Sequence, residues 1–176
     1  MTYFLLKQDE RITDRPYPRD FFQKIDVRHV TAQTADKVPM RTLIHLRSYA
    51  HTVFPDVLCT PALLLTQEVK DVVKSYDEYI HYRQIVYFDP KYKLVQLYFM
   101  PLLHSLTCLS EKTEYVSARR SAFSKVVLKR APFRDKCLFQ VRNKKQRLTI
   151  IRLDLVESIL ARNLTGFTLM EVEVEQ

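Results

Sequence analysis

The side chains of this sequence best suited to nucleophilic or metal chemistry are three cysteines and five histidines, and their spacing argues against both uses. Cys59, Cys108 and Cys137 are odd in number and widely separated. No Cys-x-x-Cys pair offers structural zinc a foothold. His29, His45, His51, His81 and His104 include no two residues four apart and no His-Glu-x-x-His run, the spacing that would place two ligands on one helix face. A Cys–His nucleophile pair can meet only in space, and nothing around the cysteines announces an activated thiolate. The acid pair Asp77-Glu78 falls beside a helix end, where solvation accounts for it. Nothing brings nucleophile, base and oxyanion donors together. The lone glycine, Gly166, excludes Walker, Rossmann and kinase phosphate loops, which need several glycines close together. The expectation is no catalytic residue, no metal, no cofactor, no small-molecule substrate and no enzyme.

Charge is the stronger signal. The net charge is +8, but residues 1–118 carry +1, residues 119–152 carry +11 and residues 153–176 carry −4. The basic segment contains Arg119, Arg120, Lys125, Lys129, Arg130, Arg134, Lys136, Arg142, Lys144, Lys145, Arg147 and Arg152 against Asp135 alone. If it folds into adjacent strands, several cations share a face, and such a face favours an anionic partner, nucleic acid or an acidic protein surface. The competing reading is that the acidic strand bearing Glu171, Glu173 and Glu175 lies nearby and neutralises part of it.

The elements that must position these groups can be read from periodicity. A chain of 176 residues, 47% hydrophobic and 27% charged, suits a single globular domain over 1–176 that buries roughly 70% of its extended surface. No apolar run reaches the ~18–20 residues a membrane span needs. The opening ten residues are too short and too acidic for an export signal, so reduced thiols and a cytoplasmic location are expected. Strands are expected at 2–7, 41–47, 80–88, 92–99, 124–130, 137–142 and 146–152, with 21–30 a strand or an irregular wrapped segment. Residues 101–118 read as a loop with short extended pieces. Val69, Val72, Val73 and Tyr76 mark a helix over about 66–77 with Thr66 as its cap. Asp154 and Glu157 have capping-box spacing for a helix over about 154–163, with Leu155, Val156, Ile159 and Leu160 as its buried stripe. Asn163 and Gly166 turn the chain out of it. Phe167 to Glu175 then alternates as a half-buried strand with a solvated acidic face. On the return strand Val95, Leu97 and Phe99 share one face, and Gln96 and Tyr98 the other. Tyr76, Tyr79, Tyr82, Tyr87, Tyr92 and Tyr98 give this region an aromatic surface that serves as sheet cover or as a contact platform. The fold class is α+β, a mixed, mostly antiparallel sheet with about two main helices.

Several of these stretches resemble a known family. Cys137-Leu-Phe-Gln-Val, the run from Leu148 to Phe167 with its Leu-Thr-Gly turn, and the closing Glu-Val-Glu-Val are similar to immunity protein family eleven of bacterial polymorphic toxin systems. Pro61-Ala-Leu-Leu-Leu-Thr-Gln-Glu-Val-Lys-Asp-Val-Val and the return strand ending at Met100-Pro101-Leu102 extend the resemblance over about residues 57–174. It implies a small cytosolic protein that binds and blocks a toxin without catalysis, and it transfers no functional residue.

The resemblance and the charge together make the expected partner a cognate toxin domain with an acidic contact surface. The expected contact residues are Arg119, Arg120, Lys144, Lys145 and Arg147, since arginines are enriched at interface hot spots and charge steers encounter. The alternative is a nucleic-acid-binding module in which segment 119–152 holds phosphates while Phe123, Phe133 and Phe139 stack on bases.

Overall fold

Alternation of buried and exposed side chains sorts the strands of this chain into two sheets. The computed structural model describes residues 1–116, 122–130, 133, 135–143 and 146–175. In chain order the strands are β1 (Tyr3–Gln8), β2 (Arg41–His45), β3 (Val57–Leu58), β4 (Leu64–Leu65), β5 (His81–Asp89) and β6 (Leu94–Leu102). They continue as β7 (Ser105–Leu106), β8 (Glu114–Tyr115), β9 (Phe123–Leu128), β10 (Leu138–Arg142), β11 (Arg147–Arg152) and β12 (Phe167–Val174). The helices are α1 (Phe21–Lys24), α2 (Gln67–Tyr76) and α3 (Leu153–Leu160), with 3-10 turns at Val27–His29 and Ala32–Lys37. This is an α+β fold, mostly sheet and mostly antiparallel.

The larger sheet runs β7-β10-β11-β1-β12-β9-β8; the smaller runs β2-β5-β6-β4-β3. Parallel pairs occur only at β7–β10, β9–β12 and β2–β5 among the described residues. Because successive side chains of a strand point to opposite faces, each strand of the larger sheet feeds two cores. Leu6, Leu138 and Ile151 face a central core completed by Val69, Val72 and Val73 of α2, by Leu155, Val156 and Ile159 of α3, and by Val57, Leu63 and Leu65. Leu5, Ile150, Phe139, Val126 and Val172 face the other way, onto Cys108 and Phe133. Both faces of this sheet are therefore covered.

The smaller sheet is packed differently. Ile44, Ile85, Tyr87, Tyr98 and Met100 are buried under Phe21, Ile25, Val30 and Val38, which the 21–38 segment lays across them. The hairpin β5–β6 turns at Asp89, whose buried carboxylate accepts from Ser48 Oγ and from the backbone N–H groups of Tyr49 and Lys91, each at 3.0 Å. One carboxylate thus ties the 48–49 loop to the hairpin turn.

Several expectations need correction. Of the two readings of residues 21–30, the strand gives way to the wrapped segment, which contains α1 and a 3-10 turn that Asp26 starts by accepting from Arg28 N–H at 3.0 Å. Thr66 precedes α2, but its hydroxyl makes no cap and is buried without a partner. Asp154 is not the cap of α3 either. It sits inside the first turn, accepting from Leu155 N–H at 2.9 Å and from the Arg152 guanidinium at 2.7 and 2.8 Å. The helix therefore begins one residue earlier, and it ends at Leu160, which is half exposed and outside the buried stripe. The exit is as expected: Asn163 has φ 56° and Gly166 has φ 111°. A Cβ at Gly166 would stand 2.1 Å from the Val57 carbonyl oxygen, so a side chain is excluded by contact as well as by backbone conformation.

Candidate functional site

Of the five expected contact residues, Arg119, Arg120, Lys144 and Lys145 lie outside the described residues. Arg147 lies within them, at the start of β11 and in register opposite Arg142 at the end of β10. Its guanidinium donates to the Val30 carbonyl at 2.9 Å and to the Arg28 carbonyl. Burial, followed by the neighbouring Arg142 charge, lowers its pKa. Arg147 thus fastens the β10–β11 hairpin to the wrapped N-terminal segment. Arg142 is exposed and has no carboxylate partner among the described residues. Arg142 and Arg147 close the strand pair, and Lys144 and Lys145 fall between them in sequence.

The described strands of the basic segment do not lie together. β9 is separated from β11 by β12 and β1, roughly 14 Å at ordinary strand spacing, which exceeds the ~8 Å over which charges act at physiological salt. Some of its cations are also matched. Lys125 pairs with Glu173 of the adjacent β12 at 2.9 Å, and Arg152 with Asp154 at 2.7 Å. Glu175 accepts from Ser110 Oγ at 2.5 Å and lies 3.6 Å from Lys112. The acidic strand therefore neutralises part of the positive charge where β9 and β12 run side by side.

Burial pushes the Cys59 thiol up to about 12, and the Cys108 and Cys137 thiols to about 11. Such thiols stay protonated and are poor nucleophiles. No group of three His, Cys, Asp or Glu side chains among the described residues is placed to hold a metal ion. A cleft of about 770 Å³ opens between the end of α2 and the 135–136 turn, lined by Lys74, Asp77, Glu78, His104, Asp135 and Lys136, among others. Burial, reinforced by Lys136, lowers the His104 pKa. The cleft mixes both charges and contains no activated nucleophile.

A second surface lies on the smaller sheet. The cross-strand register aligns Leu43, Val86 and Leu97 in one row and His45, Phe88 and Val95 in the next. Leu43, Val95 and Leu97 are 44%, 61% and 38% exposed. Among the described residues this row end of the face has no covering layer; the other end is met by α2, whose Lys70 Nζ sits 3.8 Å from the Phe99 ring centroid. There a recess of about 390 Å³ is lined by Met40, Arg41, Lys70, Tyr82, Gln84 and Phe99. The shared face of Val95, Leu97 and Phe99 was visible in the sequence. That the opposite face, bearing Tyr98, would be the covered one was not. The tyrosines accordingly divide. Tyr87 and Tyr98 are fully buried, edge to face at 5.5 Å, and Tyr98 donates to the Pro55 carbonyl at 2.7 Å. Tyr79 and Tyr92 remain exposed.

No helix among the described residues is long and apolar enough to cross a membrane. Set beside known proteins, the sequence matches no family model and no curated protein.

Proposed function

We propose that this chain is an immunity-type protein of the cytoplasm that binds and neutralises a cognate toxin domain by contact, without catalysis. The observation that carries the reading is the hairpin end: Arg142 and Arg147 stand opposite each other, with Lys144 and Lys145 between them in sequence. Fixed to the N-terminal segment by Arg147, this end offers positive charge on a rigid strand pair, which suits an acidic contact surface on the toxin and a charge-steered encounter. Arg119 and Arg120 are assigned to the same contact on sequence grounds. The protonated thiols, the mixed-charge cleft and the resemblance over residues 57–174 favour binding over turnover.

The nucleic-acid reading loses its stacking residues. Phe133 and Phe139 are buried, stacked on each other at 5.1 Å beneath the larger sheet. Phe123 is half-buried against Tyr115 at 4.9 Å.

The test is co-expression with the toxin-like protein encoded by the neighbouring reading frame. The expected result is restored growth and co-purification of the two chains, weakened by Arg142→Glu together with Lys144→Glu, with the difference between variant and unaltered chain shrinking as raised salt screens the charges. Undiminished toxicity with no complex would overturn the reading.

A further inference from the structure

We infer that the exposed face of the smaller sheet is a second docking surface beside the hairpin end, and that its occupant is an extended segment of the partner protein presenting apolar side chains flanked by carboxylates. This rests on the reading of the chain as a protein-binding module.

The apolar part is ordered by the register. Leu43, Val86 and Leu97 lie side by side across three strands, with Phe88 and Val95 in the adjoining row. Exposed aliphatic residues scattered singly are ordinary; aligned rows on a sheet face mark an interaction site. The sheet edge beside them is open. β6 pairs with β4 only at Phe99, so Leu94–Leu97 has a partner strand on the β5 side alone among the described residues. The opposite edge is guarded: Lys24 Nζ donates to the Leu43 carbonyl at 2.7 Å, and Pro18 bridges Leu46 beyond the end of β2. A lysine and a proline are the residues that block strand addition. Along Leu94–Leu97 an incoming extended segment meets backbone groups with no second partner strand among the described residues, the Leu97 carbonyl accepting from Gln96 Nε2 at 3.0 Å.

The charged part selects the partner. The recess at the foot of the rows is lined by two cations, Arg41 and Lys70, of which Lys70 lies over the rings of Tyr82 and Phe99. Arg41 Nε donates to Gln84 Oε1 at 2.6 Å. No carboxylate lines the recess, and neither cation has an ion pair among the described residues. Two cations without an ion pair, one of them above aromatic rings, attract a carboxylate of the partner. A second copy of this chain fits poorly, because a two-fold interface sets a patch against itself and would bring like charges together. Aliphatic rows offer nothing to stacked bases, which disfavours a nucleic acid.

The experiment measures binding of the purified full chain to the toxin domain encoded beside it, by calorimetry, with Leu97→Asp, Val95→Asp and Lys70→Glu variants. All three positions are on the surface, and circular dichroism with thermal melting verifies each fold. Leu97→Asp and Lys70→Glu are each expected to weaken binding at least ~10-fold, as loss of a hot-spot residue does, with Val95→Asp as a second reporter on the apolar rows. Folded variants that bind as tightly as the unaltered chain would overturn the inference and leave the protein-binding reading standing. An unaltered chain that neither binds nor protects would overturn that reading, and this inference with it. A self-dimer seen by sedimentation and dissolved by Leu97→Asp would also overturn it, putting a second copy where the partner was placed.

Discussion

The two sheets of this protein are built from similar strands and end in different situations. The larger has β1 at its centre and helices α2 and α3 on one face, while the 106–109 stretch and Phe133 lie on the other. The smaller is covered on one face by the 21–38 wrap and on the other by α2 at its β3–β4 end and where Lys70 overhangs Phe99, which leaves the rows of Leu43, Val95 and Leu97 exposed among the described residues. Val95 and Leu97 are as apolar as Val126 and Leu128, yet the first pair faces water and the second is buried. The hydrophobic effect places an apolar side chain wherever a covering layer exists. A strand whose apolar face lacks one is a candidate for a layer supplied by another molecule. The difference separates residues that hold the fold from residues free to serve binding.

Substitutions can sharpen or break that contrast. The largest effect is expected in the doubly covered sheet. Phe139 is fully buried, stacked on Phe133 and edge to face with Tyr3 at 6.0 Å, so Phe139→Ala should cost about 3–5 kcal/mol in urea unfolding. Gly166→Ala should cost on the order of 2–4 kcal/mol in the same measurement, because the added Cβ meets the Val57 carbonyl at 2.1 Å with φ at 111° and the backbone must move.

Next comes an acid-sensitive clamp on the edge of the smaller sheet. Burial alone would raise the Asp20 pKa, but hydrogen bonds from Lys24 and from the ring and backbone of His45 outweigh it and hold the carboxyl at about 2. A lowered pKa gives stability that is full above the ordinary value near 3.8 and is lost as pH falls from about 4 to about 2. Asp20→Asn should therefore lose on the order of 2 kcal/mol at neutral pH and flatten the acid limb of the stability curve in that window. Lys125→Ala removes a partly exposed pair with Glu173 and should lower stability only slightly, less still at high salt. The smallest effect belongs to the open face. Val95→Ser should change stability by no more than about 0.5 kcal/mol while weakening partner binding. A cost as large as that of a core residue would show that the face is covered within the chain itself and erase the contrast.

Local pattern carried much of this fold. The stripe of Val69, Val72 and Val73 gave α2, the alternation of Glu171, Val172 and Glu173 gave β12, and Asp89-Pro90 marked the hairpin turn, because these signals depend on neighbours three or four residues away at most. The misreadings share a cause. The 21–30 segment became helical because Phe21 and Ile25 dock onto Tyr98 and its neighbours, a contact between distant parts of the chain. The basic segment looked continuous in sequence, yet β1 and β12 insert between its strands, so its charges divide into a paired group beside Glu173 and a hairpin end near Arg142.

Periodicity, charge count and the lone glycine settle from the chain alone the longer strands and the two main helices, that positive charge is concentrated late in the sequence, and that no glycine-rich phosphate loop exists. These properties belong to short stretches and survive any arrangement of the whole. Which face of β6 is covered, which cations keep their charge free and which arginine becomes a bolt are settled only by long-range packing. Burial and ion pairing depend on what lies within a few ångströms in space, and in this protein those neighbours come from residues as far apart as Arg147 and Val30.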